Sequence, residues 1–189
     1  DTIEHMVFHT DESIELIVNA GTSVTPTLSH RTDHAVDVRR EQGTAKFILD
    51  KMKKIQPFCY ETFQKMHKAG VKIAMGTDMG YDPEMGAGAK ELQLYVDLGM
   101  TPMEAIQTAT RNAAHALKRG ADLGTLERGK LADIIAVDGD PSSDIAVLTE
   151  KQNIKVVMKE GTVFVDRRPG KSKSAVQVEP KSWKIVDYL

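Results

Sequence analysis

Of the side chains in this sequence that could do chemistry, Asp78 has the most telling setting. Residues 71–80 read V-K-I-A-M-G-T-D-M-G, an apolar and β-branched run that predicts a short buried strand ending in a glycine-flanked carboxylate. Parallel α/β barrels display their catalytic groups at the carboxyl ends of such strands. There an aspartate can bind a metal and carry a proton, or it can simply cap the next turn, a common use of Gly-Thr-Asp. His5 closes a second strand-like run, residues 2–5, directly behind Glu4. Neutral imidazole nitrogens suit zinc, so His5 is a candidate ligand at the same end of the sheet, against the plainer reading of a hydrogen-bonded structural histidine.

The remaining candidates carry less. His9 reads as a surface loop residue, because it would join His5 on a metal only along a helix and Val7-Phe8 between them reads extended. His30 and His34 have helical i, i+4 spacing inside the polar stretch 29–43 and could touch substrate or metal, but a solvated loop is the better reading. Long loops of this kind are often functional. His67 and His115 read as structural helix residues, and Cys59, the single cysteine, as a buried one. No nucleophile elbow, phosphate loop or paired-cysteine motif occurs.

The elements that must position these groups follow from periodicity and punctuation. Thr10-Asp11-Glu12 predicts a helix start that Gly21 ends, and residues 23–28 predict a strand with Pro26 at its exit. Residues 45–68 predict a long helix with an apolar face around Pro57. After Asp78 come a glycine-rich segment, a helix over 89–98, and the capping box Thr101-Pro102-Met103-Glu104 opening a further helix. From about 123 to 168 the text turns β-rich, with a hairpin predicted at Glu160-Gly161. The expected division is 1–122 for the α/β part, 123–168 for the β module and 169–189 for a tail carrying Trp183, Ile185, Val186, Tyr188 and Leu189.

Composition narrows the function classes. A chain of 189 residues with 41% hydrophobic content can bury a core, and a formal net charge of -2 offers no basic field for nucleic acid. No apolar run approaches the roughly 20 residues of a membrane helix, and the lone cysteine fits a reducing, cytoplasmic setting. The opening Asp1 is expected to mark a fragment, a processed product or one piece of a split protein.

Several motifs together resemble the amidohydrolase superfamily, in particular its imidazolonepropionase-like and Xaa-Pro dipeptidase (prolidase) branch. They are T-I-E-H at 2–5, V-T-P-T-L at 24–28, G-T-D at 76–78, G-M-T-P-M-E-A-I-Q-T-A-T-R-N-A-A at 99–114 and L-G-T-L-E-R-G-K-L-A-D-I-I-A-V-D-G-D-P at 123–141. The resemblance implies an α/β fold: the C-terminal portion (strands six to eight) of a metal-dependent (β/α)8 TIM-like barrel plus part of a small β-sandwich. By the same resemblance His5 is a metal ligand and Asp78 a metal ligand and catalytic proton carrier, with Zn2+ as one or two divalent ions. The family's His-x-His pair, bridging lysine and further histidine have no counterpart here. Met6 stands where the pattern usually has glycine, and its side chain is expected to narrow the pocket.

The activity implied is hydrolysis of a carbon–nitrogen bond in a small-molecule or dipeptide substrate, as by a dipeptidase or N-acyl amino acid hydrolase. The alternatives are a deaminase of the same superfamily or a non-catalytic fragment or scaffold. The chain alone is expected to be inactive, to hold zinc weakly and to associate with the missing half of the barrel, a companion chain or further copies of itself.

Overall fold

The computed structural model describes residues 1–78 and 86–170. Met79, Gly80, the first part of the glycine-rich segment and the apolar residues expected in the tail lie outside the described residues.

Three short strands, β1 (Thr2–Glu4), β2 (Ser23–Thr25) and β3 (Lys72–Ile73), form a parallel sheet in that order, with Ile3 opposite Val24 and Val24 opposite Ile73. Parallel neighbours need crossover connections. Helix α1 (Asp11–Ala20) supplies the first, opened by the Thr10 hydroxyl accepting from the Ser13 N–H and closed by Gly21 in left-handed conformation. The second crossover contains a 3-10 turn (Leu28–Arg31), α2 (Asp33–Glu41) and the 23-residue α3 (Lys46–Lys68). The stretch expected as a polar loop with a short helical piece is therefore largely helical. Thr32 caps α2 by accepting from the Ala35 N–H, and Ala35 and Val36 bury one side of it. α3 runs through Pro57 without ending.

Val24 and Ile73 from the sheet, Ile14 and Ile17 from α1 and Phe63 and Met66 from α3 share one core. Phe63 stacks on Tyr95 of α4 (Ala89–Asp97) with ring centroids 4.8 Å apart. Truncating a ring buried this way typically costs about 3–5 kcal/mol. Met6 also belongs to this core, at 1% exposure. The sequence reading that it narrows the pocket is thereby corrected, since its side chain packs inward.

The helical run after α4 has a local irregularity with a purpose. α5 (Pro102–Gln107) opens with the expected capping box, then a π-helical stretch (Thr108–Asn112) leads into α6 (Ala113–Ala116). A π-bulge frees a carbonyl from the α-helical ladder. Here the Thr108 carbonyl accepts the Met75 N–H at 2.9 Å, and Asn112 Nδ2 donates to the Ile73 carbonyl at 2.9 Å. The chain leaving β3 is thus pinned to this helix just before Asp78.

The C-terminal sheet is antiparallel, with β4 (Ile134–Val137), β5 (Ile154–Lys159) and β6 (Thr162–Asp166) in sequence order. The expected Glu160-Gly161 turn joins β5 to β6, and Asp133 ties it down by accepting from the Glu160 N–H at 2.8 Å and from Lys159 Nζ at 2.9 Å. Gly124 lies so near α6 that an added Cβ would sit 2.7 Å from that of Ala114. Ile145, 2% exposed, reaches from this region into the main core. No described helix is long and apolar enough to cross a membrane.

Candidate active site

The chain leaves the three parallel strands at one end of the sheet, and there it carries His5 after β1, Thr27 after β2 and Asp78 after β3. All three have left-handed backbone, with φ of 59°, 53° and 53°. For a β-branched residue such as Thr27 this conformation is strained, and non-glycine strain persists only where the surroundings enforce it. His5 is held by backbone and side chain together. Its N–H donates to the Thr25 carbonyl at 3.1 Å, extending the ladder, and its Nδ1 is 2.9 Å from Thr27 Oγ1. Gly76 brings the third strand's exit flush against the second: a Cβ there would lie 2.5 Å from Thr25 Cγ2.

His5 Nε2 then faces Asp78 Oδ2 across 3.9 Å, the two side chains being about half exposed. With Nδ1 engaged by Thr27, Nε2 is the nitrogen left to act as a ligand. Two donors each about 2 Å from one ion span such a separation, so the pair fits part of a metal site. Among the described residues no group of three or more histidine, cysteine or carboxylate side chains converges on one metal position. The residues described therefore bring two donors, fewer than a four-coordinate ion requires.

The structure adds His30, which the sequence reading left in a solvated loop. It is 8% exposed, and its Nε2 lies 2.7 Å from the Asp78 carbonyl oxygen and 4.0 Å from Asp78 Oδ2. A carbonyl can only accept, so this Nε2 carries the proton and His30 steadies the Asp78 backbone as a donor. His34, despite its i, i+4 spacing, lines a different cavity between α2, α4 and the turn at Ile145–Thr149. His9 pairs with Ser13, and His67 with Glu104, both away from the site. His115 lies near the starts of β2 and β3, beside Ser23 and Lys72.

Behind His30 stands Glu91 of α4, fully buried. Its carboxylate accepts the Leu28 and Ser29 N–H groups at 2.7 Å each and the Ser29 hydroxyl. The 3-10 turn has no side-chain cap of its own, so a carboxylate from a distant helix satisfies its first N–H groups. Burial pushes the Glu91 pKa up, against the opposing pull of the Ser29 and Leu28 hydrogen bonds. Burial, and then the Glu91 charge, push the Tyr95 hydroxyl well up. The sequence did contain a signal for Glu91, since with Leu92 and Tyr95 it shares the buried face of α4.

His5, His30 and Asp78 line a cavity of about 210 Å³ with Arg31, Arg39 and two apolar side chains of α3. A larger one of about 650 Å³, where His34 lies, contains none of the strand-end groups.

A model of the amidohydrolase family matches residues 1–164. Ochratoxinase from Aspergillus niger is 33% identical over 168 residues, covering 86% of this chain and 33% of the relative. Imidazolonepropionase from Caldanaerobacter subterraneus subsp. tengcongensis is 32% identical over 116 residues, 59% of this chain and 27% of the relative. A solved Xaa-Pro dipeptidase with methionine bound in its active site superposes with a TM-score of 0.78 at 38% identity, covering 87% of this chain and 39% of that one. The chain thus spans at most about a third of these curated relatives' length.

Proposed function

Since this chain belongs to the amidohydrolase family, whose members are hydrolytic enzymes and generally metal-dependent, we propose that the intact protein hydrolyses an amide or peptide carbon–nitrogen bond. The substrate class we favour is a dipeptide or an N-acyl amino acid, a reading supported by the likeness to a dipeptidase with a bound amino acid. In this reading residues 1–122 supply strands six to eight of a (β/α)8 barrel and residues 123–168 part of a β-sandwich. The other strands and metal ligands come from elsewhere in the protein or from a companion chain, and the piece alone is inactive.

One observation carries the proposal: His5 Nε2, oriented through Thr27, facing the Asp78 carboxylate at the strand ends. His5 and Asp78 would hold a divalent ion, for which zinc is our choice. Such an ion, when bound, lowers the pKa of water and polarises a carbonyl. Asp78 accepts the proton of the attacking water and delivers it to the departing amine. His30 keeps the Asp78 backbone in its left-handed conformation through the bond to its carbonyl.

Asp78→Asn in the intact enzyme tests this. The amide cannot accept a proton, so kcat on a dipeptide or N-acyl amino acid should fall by about 10²- to 10⁴-fold with the fold unchanged. Turnover near the wild-type value would refute the assignment.

A further inference from the structure

The two groups that orient the strand-end donors sit on one short stretch of chain. The Thr27 hydroxyl lies 2.9 Å from His5 Nδ1, and His30 Nε2 donates to the Asp78 carbonyl at 2.7 Å. Between Thr27 and His30 stand only Leu28 and Ser29, whose N–H groups Glu91 accepts at 2.7 Å each, together with the Ser29 hydroxyl. A threonine ahead of a helical turn ordinarily caps it with its own hydroxyl. Thr27 makes no such bond, because it is left-handed and its hydroxyl is turned to His5. The capping falls instead to a carboxylate 63 and 62 positions away. Glu91 is held in its turn, since it and Tyr95, one turn on along α4, are fully buried and Tyr95 stacks on Phe63. The rest of the turn is tied by Gln56 Nε2 donating to the Arg31 carbonyl and by the Thr32 hydroxyl donating to that of Ser29. Burying a carboxylate is costly unless hydrogen bonds compensate it, and an apolar residue would pack α4 as well. What the carboxylate adds is a fixed place for residues 28 and 29.

We propose that Glu91, which bonds to neither His5 nor Asp78, is a positioning residue for both: by fixing Leu28 and Ser29 it sets Thr27 and His30, and through them the separation of the two donors. The kinetic consequence rests on the amide-hydrolase reading, whereas the consequence for the His30 ring does not.

Glu91→Gln in the intact protein keeps the size of the side chain but cannot accept all three hydrogen bonds. Near neutral pH its kcat on N-acetyl-L-leucine should fall by about 10- to 100-fold, with KM within a few-fold of wild type. The loss in the Glu91→Gln/His30→Ala double variant should be well short of the product of the two single losses, because both act on Asp78 through one connection. A residue that only supported the fold would give losses that multiply. The His30 ring proton, followed in protein labelled with 15N-histidine and assigned by its disappearance in His30→Ala, should exchange with water about 10-fold faster in Glu91→Gln. Ser29→Ala removes only the hydroxyl bond to Glu91 and should move both readouts the same way by smaller amounts. It decides the matter if the glutamine variant does not fold. Unchanged ring exchange in the folded variants, or losses in kcat that multiply in full, overturns the proposal. Faster ring exchange in the variants of a protein that cleaves no amide leaves Glu91 as the residue that positions His30 and refutes the hydrolase reading instead.

Discussion

The two sheets use the same unusual backbone conformation for different reasons. Five described non-glycine residues have positive φ: His5, Thr27, Asp78, Lys118 and Glu160. Local structure explains two. Lys118 follows the end of α6, where helices commonly turn left-handed. Glu160 and Gly161, with φ of 50° and 80°, form the tight hairpin between β5 and β6, and such turns need both residues left-handed. His5 has no hairpin or helix end to account for it, Asp78 is left-handed where the His30 bond holds its carbonyl, and Thr27 opens the 3-10 turn in a conformation that N-cap residues do not normally adopt. They stand at the exits of parallel strands, and what they share is the site. The antiparallel sheet obeys local rules, and the parallel sheet breaks them where its side chains must converge.

Replacing each strained residue by one that tolerates the conformation separates these causes. Thr27→Gly should have the largest effect. It relieves the left-handed strain, offset by glycine's entropy and the lost side chain, so stability should stay within about 1 kcal/mol of wild type. It also removes the hydroxyl that orients His5, and metal affinity of the intact enzyme should drop by about 10- to 100-fold. Equilibrium dialysis against zinc measures this, and unchanged affinity would mean that the strain does not serve the site.

The buried support of the site and the exposed brace of the hairpin should respond oppositely to pH. Burial raises the Glu91 pKa above its ordinary 4.5. Its contribution to stability is thus fully present below 4.5 and fades as pH rises through the raised value. Asp133, held down first by its hydrogen bond to Lys159, lies below its ordinary 3.8, so its contribution is present above 3.8 and lost as pH falls. Glu91→Gln should cost about 1–3 kcal/mol near pH 4.5, because an amide cannot accept from both N–H groups and the Ser29 hydroxyl. The gap to wild type should narrow toward neutral pH. Urea denaturation of both proteins at several pH values would expose the error if the gap widened instead.

The smallest effect is expected at the hairpin. Glu160→Asn creates the Asn-Gly pair that such turns prefer and should stabilise by at most about 1 kcal/mol with no change in activity. A thermal melt with a parallel rate measurement is sufficient, and any loss of activity would contradict the separation of the two sheets.

This division also explains what could be read from the sequence. The strand before Asp78, the capping box at Thr101 and the Glu160-Gly161 turn are written in neighbouring residues, and each occurs where local rules put it. His5 and Asp78 were legible as strand-end groups for the same reason. His30 was not, because its partner is 48 positions away and its polar neighbours imitate a loop. Nor was the role of Glu91, whose bonds reach 62 and 63 positions along the chain. The helix pattern places Glu91 on a buried face, and only packing decides which N–H groups it meets there.

The π-helical stretch at Thr108–Asn112 has a bearing on which insertions and deletions this lineage could accept. A π-bulge is a helix with one residue too many, so the loss of a single residue there would restore an ordinary α-helix. Such a deletion preserves helicity, apolar content and the capping box. It also returns the Thr108 carbonyl to the helical ladder, away from Met75, and rotates everything beyond it by about 100°, carrying Ala114 off Gly124. A change that looks neutral in an alignment would detach the strand leading to Asp78 from its anchor and unseat the segment that follows α6. The extra residue is thus a length constraint on the whole chain, one that no inspection of individual side chains would reveal.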